Sequence, residues 1–154
     1  MTSNKIIEEF MVLANVAAAE EINKSLQNTV YRVHEQPSEE KYKILIDILG
    51  QPLANILIGK VPHPSLMNKI LEQTKETVDY ELINQSILRS QSQARYDSKN
   101  YSHFGLALKN YVHFTSPIRR YADLLIHRQI IKIINQKGSN KINKSIHETE
   151  IKSL

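Results

Sequence analysis

Tyr111-Val112-His113-Phe114-Thr115-Ser116-Pro117-Ile118-Arg119-Arg120-Tyr121-Ala122-Asp123 is the stretch on which the reading of this 154-residue chain turns. Ser116-Pro117 predicts a helix start, with Ser at the N-cap and Pro at the first helical position, where its missing N–H costs nothing. Ile118 to Ile134 then runs apolar at helical spacing. Arg119 and Arg120 are therefore expected in the first turn, where a cation beside the positive end of the helix dipole is disfavoured by roughly 0.3–1 kcal/mol. Two cations there suggest an anion bound at that end, held by free backbone N–H groups, the dipole and two guanidinium forks. The alternative is local. Both arginines precede Asp123 by one helical turn, so intrahelical ion pairs can absorb both charges.

Outward from this stretch, residues 5 to about 26 predict a helix, with Ile6, Phe10, Leu13, Ala14 and Ala17 as its apolar stripe. Thr29 to Glu35 predicts a short strand. Pro37-Ser38-Glu39-Glu40 predicts a helix start, with Gly50 as its stop. Gln51 to Pro64 reads as a loop holding a short buried segment, Leu53 to Ile58. Ser65 is expected to cap a helix to about Val78, and Leu82, Ile83, Ile87 and Leu88 predict another to about Gln93. Ala94 to Phe114 is rich in aromatics, and His103-Phe104-Gly105-Leu106-Ala107-Leu108 reads as extended. After Ile134 the composition turns to an exposed linker, and the last dozen residues predict the start of one more helix.

Composition narrows the function classes. The length suits one domain with its own core, and no apolar run approaches the ~20 residues that span a bilayer. No cationic-then-apolar signal opens the chain. The absence of cysteine excludes disulfides and thiolate metal sites and fits a cytoplasmic protein. A net charge of +4 is compatible with a polyanionic partner. The six histidines show no paired-ligand spacing, and no two of Asp47, Asp79, Asp97 and Asp123 are close in sequence. A two-metal nuclease centre needs several converging carboxylates, and no such cluster is visible, so no metal ligand is assigned. Glu8 and Glu9 suit the start of the first helix electrostatically. Tyr96, Tyr101, His103, Phe104, Tyr111, His113 and Phe114, interleaved with Arg89, Arg95, Lys99 and Lys109, have the basic-aromatic texture that binds single strands. A packed core is the ordinary alternative for so many aromatics.

Several motifs occur together in one order: Tyr31-Arg32-Val33-His34-Glu35 with Pro37, Glu40-Lys41, Leu88-Arg89-Ser90, His103 to Leu108, and His113 to Asp123 with Leu125 and His127-Arg128. With Glu8-Glu9-Phe10-Met11 and Leu13-Ala14-Asn15 ahead of them, they resemble the RNB family of exoribonucleases, the family of ribonuclease II and ribonuclease R. The nearer likeness is to the ribonuclease R branch. The resemblance implies an α/β (α+β) fold, a β-rich core wrapped by helices, of which residues 1–135 would be the mainly helical C-terminal half of the catalytic domain. A few short strands, some with unpaired edges, are expected, and residues 136–154 would be a linker and a truncated helix.

The same resemblance implies processive 3′→5′ hydrolysis of single-stranded RNA to nucleoside 5′-monophosphates, with Mg2+. It makes Arg119 the contact to the phosphate at the cleavage site and Glu8 the contact to the sugar near the 3′ end, with Glu9 as the alternative register. Arg120, Ser116, Thr115, His113, Tyr111 and Arg95 are the further RNA-binding candidates. The family's magnesium-holding aspartates lie upstream of the first helix seen here. The expectation is thus a segment inactive alone, completed by an N-terminal half encoded separately, or else a non-enzymatic RNA-binding remnant or decayed product.

Overall fold

A computed structural model of the chain describes residues 2–25 and 28–138. The described residues form helices α1 (Thr2–Lys24), α2 (Glu39–Leu49), α3 (Pro64–Thr74), α4 (Tyr80–Ser90) and α5 (Tyr121–Gly138), and strands β1 (Tyr31–Val33) and β2 (Arg95–Asp97). Leu53–Ile56 and Phe104–Leu106 are short 3-10 turns. The described residues are mainly helical with two short strands, in line with the mainly helical expectation, and the chain divides into two units.

The first unit draws on Met1–Val33, Arg95–His103 and Leu108–Leu154. Its strands pair antiparallel, with Tyr31 opposite Asp97, Arg32 opposite Tyr96 and Val33 opposite Arg95. Arg32 N–H also donates to Tyr111 C=O (2.9 Å), which lays the segment ahead of the arginines beside β1. Helices α1 and α5 pack together over Ala18, Ala19, Ile22, Val33, Val112, Ile126 and Ile133. Small residues on α1 let the two helices approach closely. Val30, Ala122 and Leu125 form a smaller apolar cluster under Tyr96. Gln129 is buried between them, accepting from the Thr29 hydroxyl and donating to Asn28 C=O (both 2.6 Å). A buried amide satisfied on both ends ties α5 to the chain entering β1.

The α1 stripe departs from its expected face. Ile6, Phe10 and Leu13 are exposed, together with Ile7 and Ala17, and Ala14 is only partly buried. The buried positions are Asn15, Ala18, Ala19 and Ile22. The helical periodicity is present, but the described residues cover only the C-terminal half of the helix, and there the contact face is lined by small residues and one amide.

The second unit draws on His34–Ala94 and Phe104–Ala107. Helices α2, α3 and α4 enclose Tyr42, Leu45, Leu49, Leu57, Met67, Ile70, Ile83 and Ile87. Ser38 caps α2 by accepting from Lys41 N–H (3.3 Å), and the helix stops at Gly50, whose φ of 59° favours glycine. Helix α3 starts one residue before Ser65. Pro64 takes the first helical position, and His63 accepts from Ser65 N–H at 3.2 Å. The loop after α2 holds the anticipated buried segment as a 3-10 turn, with Ala54 and Leu57 buried.

The extended reading of 103–108 does not hold. A single antiparallel bridge joins His103 and Leu108, and between them Phe104–Leu106 turns, with Ala107 at φ 54°. Two groups of His34 direct the turn. Its C=O accepts from Phe104 N–H (2.7 Å), and its Nδ1 accepts from Gly105 N–H (3.1 Å). Strand β2, by contrast, lies inside the aromatic-rich region, where no local signal marks it in the sequence. Helix α5 runs past Ile134 to Gly138, while the helix expected of the last dozen residues lies outside the described ones.

A Cβ added at Gly105 would sit 2.7 Å from His34 Nδ1. Gly105→Ala is therefore expected to lower stability by about 1–3 kcal/mol, as overpacking at a rigid contact does. Chemical denaturation of the variant beside the parent measures this directly.

Candidate nucleic-acid interface

The site begins with backbone donors that need partners. Buried N–H groups must be hydrogen-bonded, and segment 114–116 lies outside any helix or strand, so side chains must supply the acceptors. Asn15, on α1 and 3% exposed, accepts from Phe114 N–H (2.9 Å) and Thr115 N–H (3.2 Å) through one oxygen, while its amide donates to the Tyr111 hydroxyl (3.0 Å). Asp123, fully buried on α5, accepts from Ser116 N–H at 2.7 Å. His127 Nε2–H donates to Phe114 C=O (2.9 Å), and its ring stacks on Phe114 with centroids 4.2 Å apart. Two helices thus hold one short turn from both sides.

This bonding moves the helix start. Ser116 N–H is taken by Asp123, and Arg119 N–H reaches Ser116 C=O only at 3.4 Å, so Pro117 to Arg119 form a turn and α5 begins at Tyr121. Arg119 and Arg120 therefore precede the helix rather than occupy its first turn, and at the helix start the Arg120 charge is met by the Asp123 carboxylate. Nor are the N–H groups of 114–116 open to a bound anion, because protein oxygens already hold all three.

The two arginines have separate fates. Arg120 is bound to Asp123 by Nη2–Oδ1 (2.9 Å) and Nε–Oδ2 (2.8 Å), the ion pair that local spacing offered. Arg119 is exposed, and its guanidinium makes no hydrogen bond or ion pair among the described residues. Next to it Ile118 is fully exposed at the tip of the turn. The available cation of the motif is Arg119.

The aromatic residues pack on one another edge to face. Tyr111 lies edge-on to His103 (5.2 Å) and His113 (5.8 Å), and His113 is edge-on to Tyr96 (5.6 Å), whose hydroxyl is 2.8 Å from His113 Nδ1. The Arg32 guanidinium lies over Tyr96, 4.9 Å from its centroid. Burial, and next the Arg120 charge, push the His113 pKa down to about 4, so this imidazole is neutral at physiological pH. Burial likewise raises the Tyr96 pKa. A protonated phenol donating to Nδ1 satisfies both groups and leaves the imidazole proton on Nε2.

The structure therefore gathers Tyr111, His113, Thr115, Ser116 and Arg120 around Asn15 and Asp123, with Arg119 at the outer edge. Thr115 Oγ1 is buried and finds no hydrogen-bond partner among the described residues. Arg95 is engaged elsewhere, with Asp97 at 3.3 Å and over the Tyr101 ring at 5.4 Å. Glu8 is exposed on α1, and Glu9 lines a surface hollow with Lys5, Ile6, Phe10 and Leu13. Sequence reasoning passes over Asn15 as a site residue. Its signal is a lone amide in the otherwise apolar run Phe10 to Ala19. Among the described residues no three His, Asp or Glu side chains are placed to hold a metal ion, and no helix is long and apolar enough to cross a membrane.

Removing the acceptor at Asp123 leaves Ser116 N–H and the Arg120 guanidinium without their buried partner. Asp123→Ala is expected to cost about 3–5 kcal/mol in denaturant unfolding. The depressed His113 pKa gives a pH dependence of definite sign. Between pH 6.5 and about 4 the unfolded chain binds the proton that the folded chain refuses, so this stability is complete above pH 6.5 and declines down to about pH 4. Melting temperatures across that window should fall less steeply in His113→Gln than in the parent.

The RNB domain family matches residues 1–136. The chain is 46% identical over 140 residues to ribonuclease R of Vibrio cholerae, covering 90% of this chain and 17% of that protein's length. The structure of Mycoplasma genitalium RNase R in complex with double-stranded RNA aligns with a TM-score of 0.78 at 29% identity, covering 99% of this chain and 26% of that one. The fold also aligns with yeast Ssd1, described as a pseudonuclease, with a TM-score of 0.77 at 24% identity. The chain spans about a sixth to a quarter of these ribonuclease R proteins and, over nearly all of its own matched length, belongs to the RNB domain family.

Proposed function

We propose that this chain is the RNA-gripping segment of an RNB-type 3′→5′ exoribonuclease, which holds single-stranded RNA while nucleoside 5′-monophosphates are released by hydrolysis. The observation that carries this reading is Arg119, an exposed guanidinium without a protein partner among the described residues, on a turn held from both sides by buried side chains. A guanidinium fork binds a phosphate bidentately and stabilises the charge that builds on phosphorus oxygens during displacement. Arg119 does this at the cleavage site. Arg120 acts through Asp123, neutralising the buried carboxylate that shapes the turn. Glu8, exposed on α1, contacts the terminal sugar, where a 2′-OH distinguishes RNA from DNA.

Magnesium, which the family likeness calls for, does not fit the described residues, since they contain no converging carboxylates. Activity then requires carboxylates outside them, from a further segment or a separately encoded N-terminal half. The exposed Ile6, Ile7, Phe10 and Leu13 on α1 supply an apolar face for such a segment. A second reading is RNA binding without catalysis. It is favoured by the same lack of converging carboxylates, and the likeness to Ssd1 indicates that this fold does not require catalysis.

Two measurements separate the readings. Binding to a single-stranded oligoribonucleotide should weaken with salt, and Arg119→Ala should lower the slope of log K against log salt by about 0.7, the loss of one phosphate contact. Salt-insensitive binding by the folded parent would remove both readings. Adding the upstream part of an RNB domain should then yield magnesium-dependent monophosphates. Binding without release, once association of the two parts is demonstrated, supports the non-catalytic reading.

A further inference from the structure

Three consecutive amides, those of Phe114, Thr115 and Ser116, are held by just two side-chain oxygens, and only one of these is local. Asp123 lies seven residues from the amide it accepts, whereas Asn15 reaches across about a hundred residues to Phe114 and Thr115. Through these two bonds α1 holds the backbone of the turn, and the same side chain also anchors the Tyr111 hydroxyl. Asn is suited to this place. It is neutral, so burial at 3% exposure carries no charge penalty, and it offers an acceptor and a donor at once. A helix core position seldom holds an amide, and leucine there would pack against Ala18 and Ala19 without any polar demand.

We infer that Asn15 is a positioning residue for Arg119: by holding the amides of Phe114 and Thr115 it sets the conformation in which the exposed guanidinium meets a phosphate. The inference rests on the phosphate reading above and adds to it the element that makes the grip rigid. It also explains why the grip is a side-chain one. With 114–116 occupied, the phosphate is bound by a guanidinium whose base is immobile rather than by a cradle of backbone N–H groups. A fork carried on a held backbone loses less freedom on binding than one on a loose loop.

The test uses the whole chain, a single-stranded oligouridylate and salt titrations of Asn15→Leu, Asn15→Asp, Arg119→Ala and the double variant that combines Asn15→Leu with Arg119→Ala. Asn15→Leu removes both acceptor bonds. It should lower the salt slope by about 0.7, as Arg119→Ala does, and the double variant should show no further loss. Asn15→Asp keeps an oxygen for both amides and lets Tyr111 donate to the other. It should retain the parental slope even where the added charge lowers affinity. Hydrogen exchange at Phe114 and Thr115 should accelerate in Asn15→Leu and not in Asn15→Asp. If the leucine variant does not fold, Asn15→Ser, too short to reach the turn, takes its place with the same expectations.

Accelerated exchange with an unchanged slope, or a full additional loss from Arg119→Ala in the leucine or serine background, would overturn the positioning role. An Arg119→Ala slope equal to that of the parent would instead overturn the phosphate reading and this inference with it. The two failures are thus distinct.

Discussion

A carboxylate with no exposed surface, Asp123, faces a guanidinium on one side and a backbone amide on the other, and the motif takes its shape around this contact. Burying such a charge unpaired is prohibitively costly, so Arg120 must fold back upon it. Once it does, Ser116 N–H has a side-chain acceptor in place of a helical carbonyl, the next residues turn, and α5 begins at Tyr121. Arg119, next in sequence to the paired arginine, has no such demand placed on it and projects outward. One buried charge thereby assigns different work to two adjacent identical side chains.

The rest of the first unit supports that contact without adding chemistry of its own. Gln129 fixes α5 against the entry to β1, and the small residues of α1 bring Asn15 close enough to the turn to bond two amides. The aromatic residues ahead of the arginines interact mainly with one another, edge to face, under the Arg32 cation. An aromatic-basic texture of this kind is readable as a stacking platform, but here much of its ring surface is taken up by internal packing. What remains exposed around Arg119 is Ile118 and, in part, the Tyr121 ring.

Much of the second unit was legible because its signals are local. Ser38 ahead of two acidic residues and Gly50 after the last apolar position each act within a few residues and act as read, while the helix expected from Ser65 begins one residue earlier, at Pro64. The failures share the opposite character. The face of α1 depends on what covers it, and its strongest apolar stripe is the part the described residues leave bare. Strand β2 exists because β1 pairs with it, and the 103–108 segment turns because His34, about seventy residues away, accepts two of its amides.

The same division runs through the site. The sequence alone determined the family, through the order and spacing of its motifs, and it marked the Arg119–Arg120 pair with Asp123 one turn on as a partner for either, since charge, Ser-Pro and helical period are properties of neighbouring residues. Only the tertiary structure decided which arginine is committed and which is available, where the helix begins, and that Asn15 belongs to the site. Those outcomes depend on buried donors finding acceptors. An acceptor about a hundred residues away becomes a neighbour only when the core of α1 and α5 has formed.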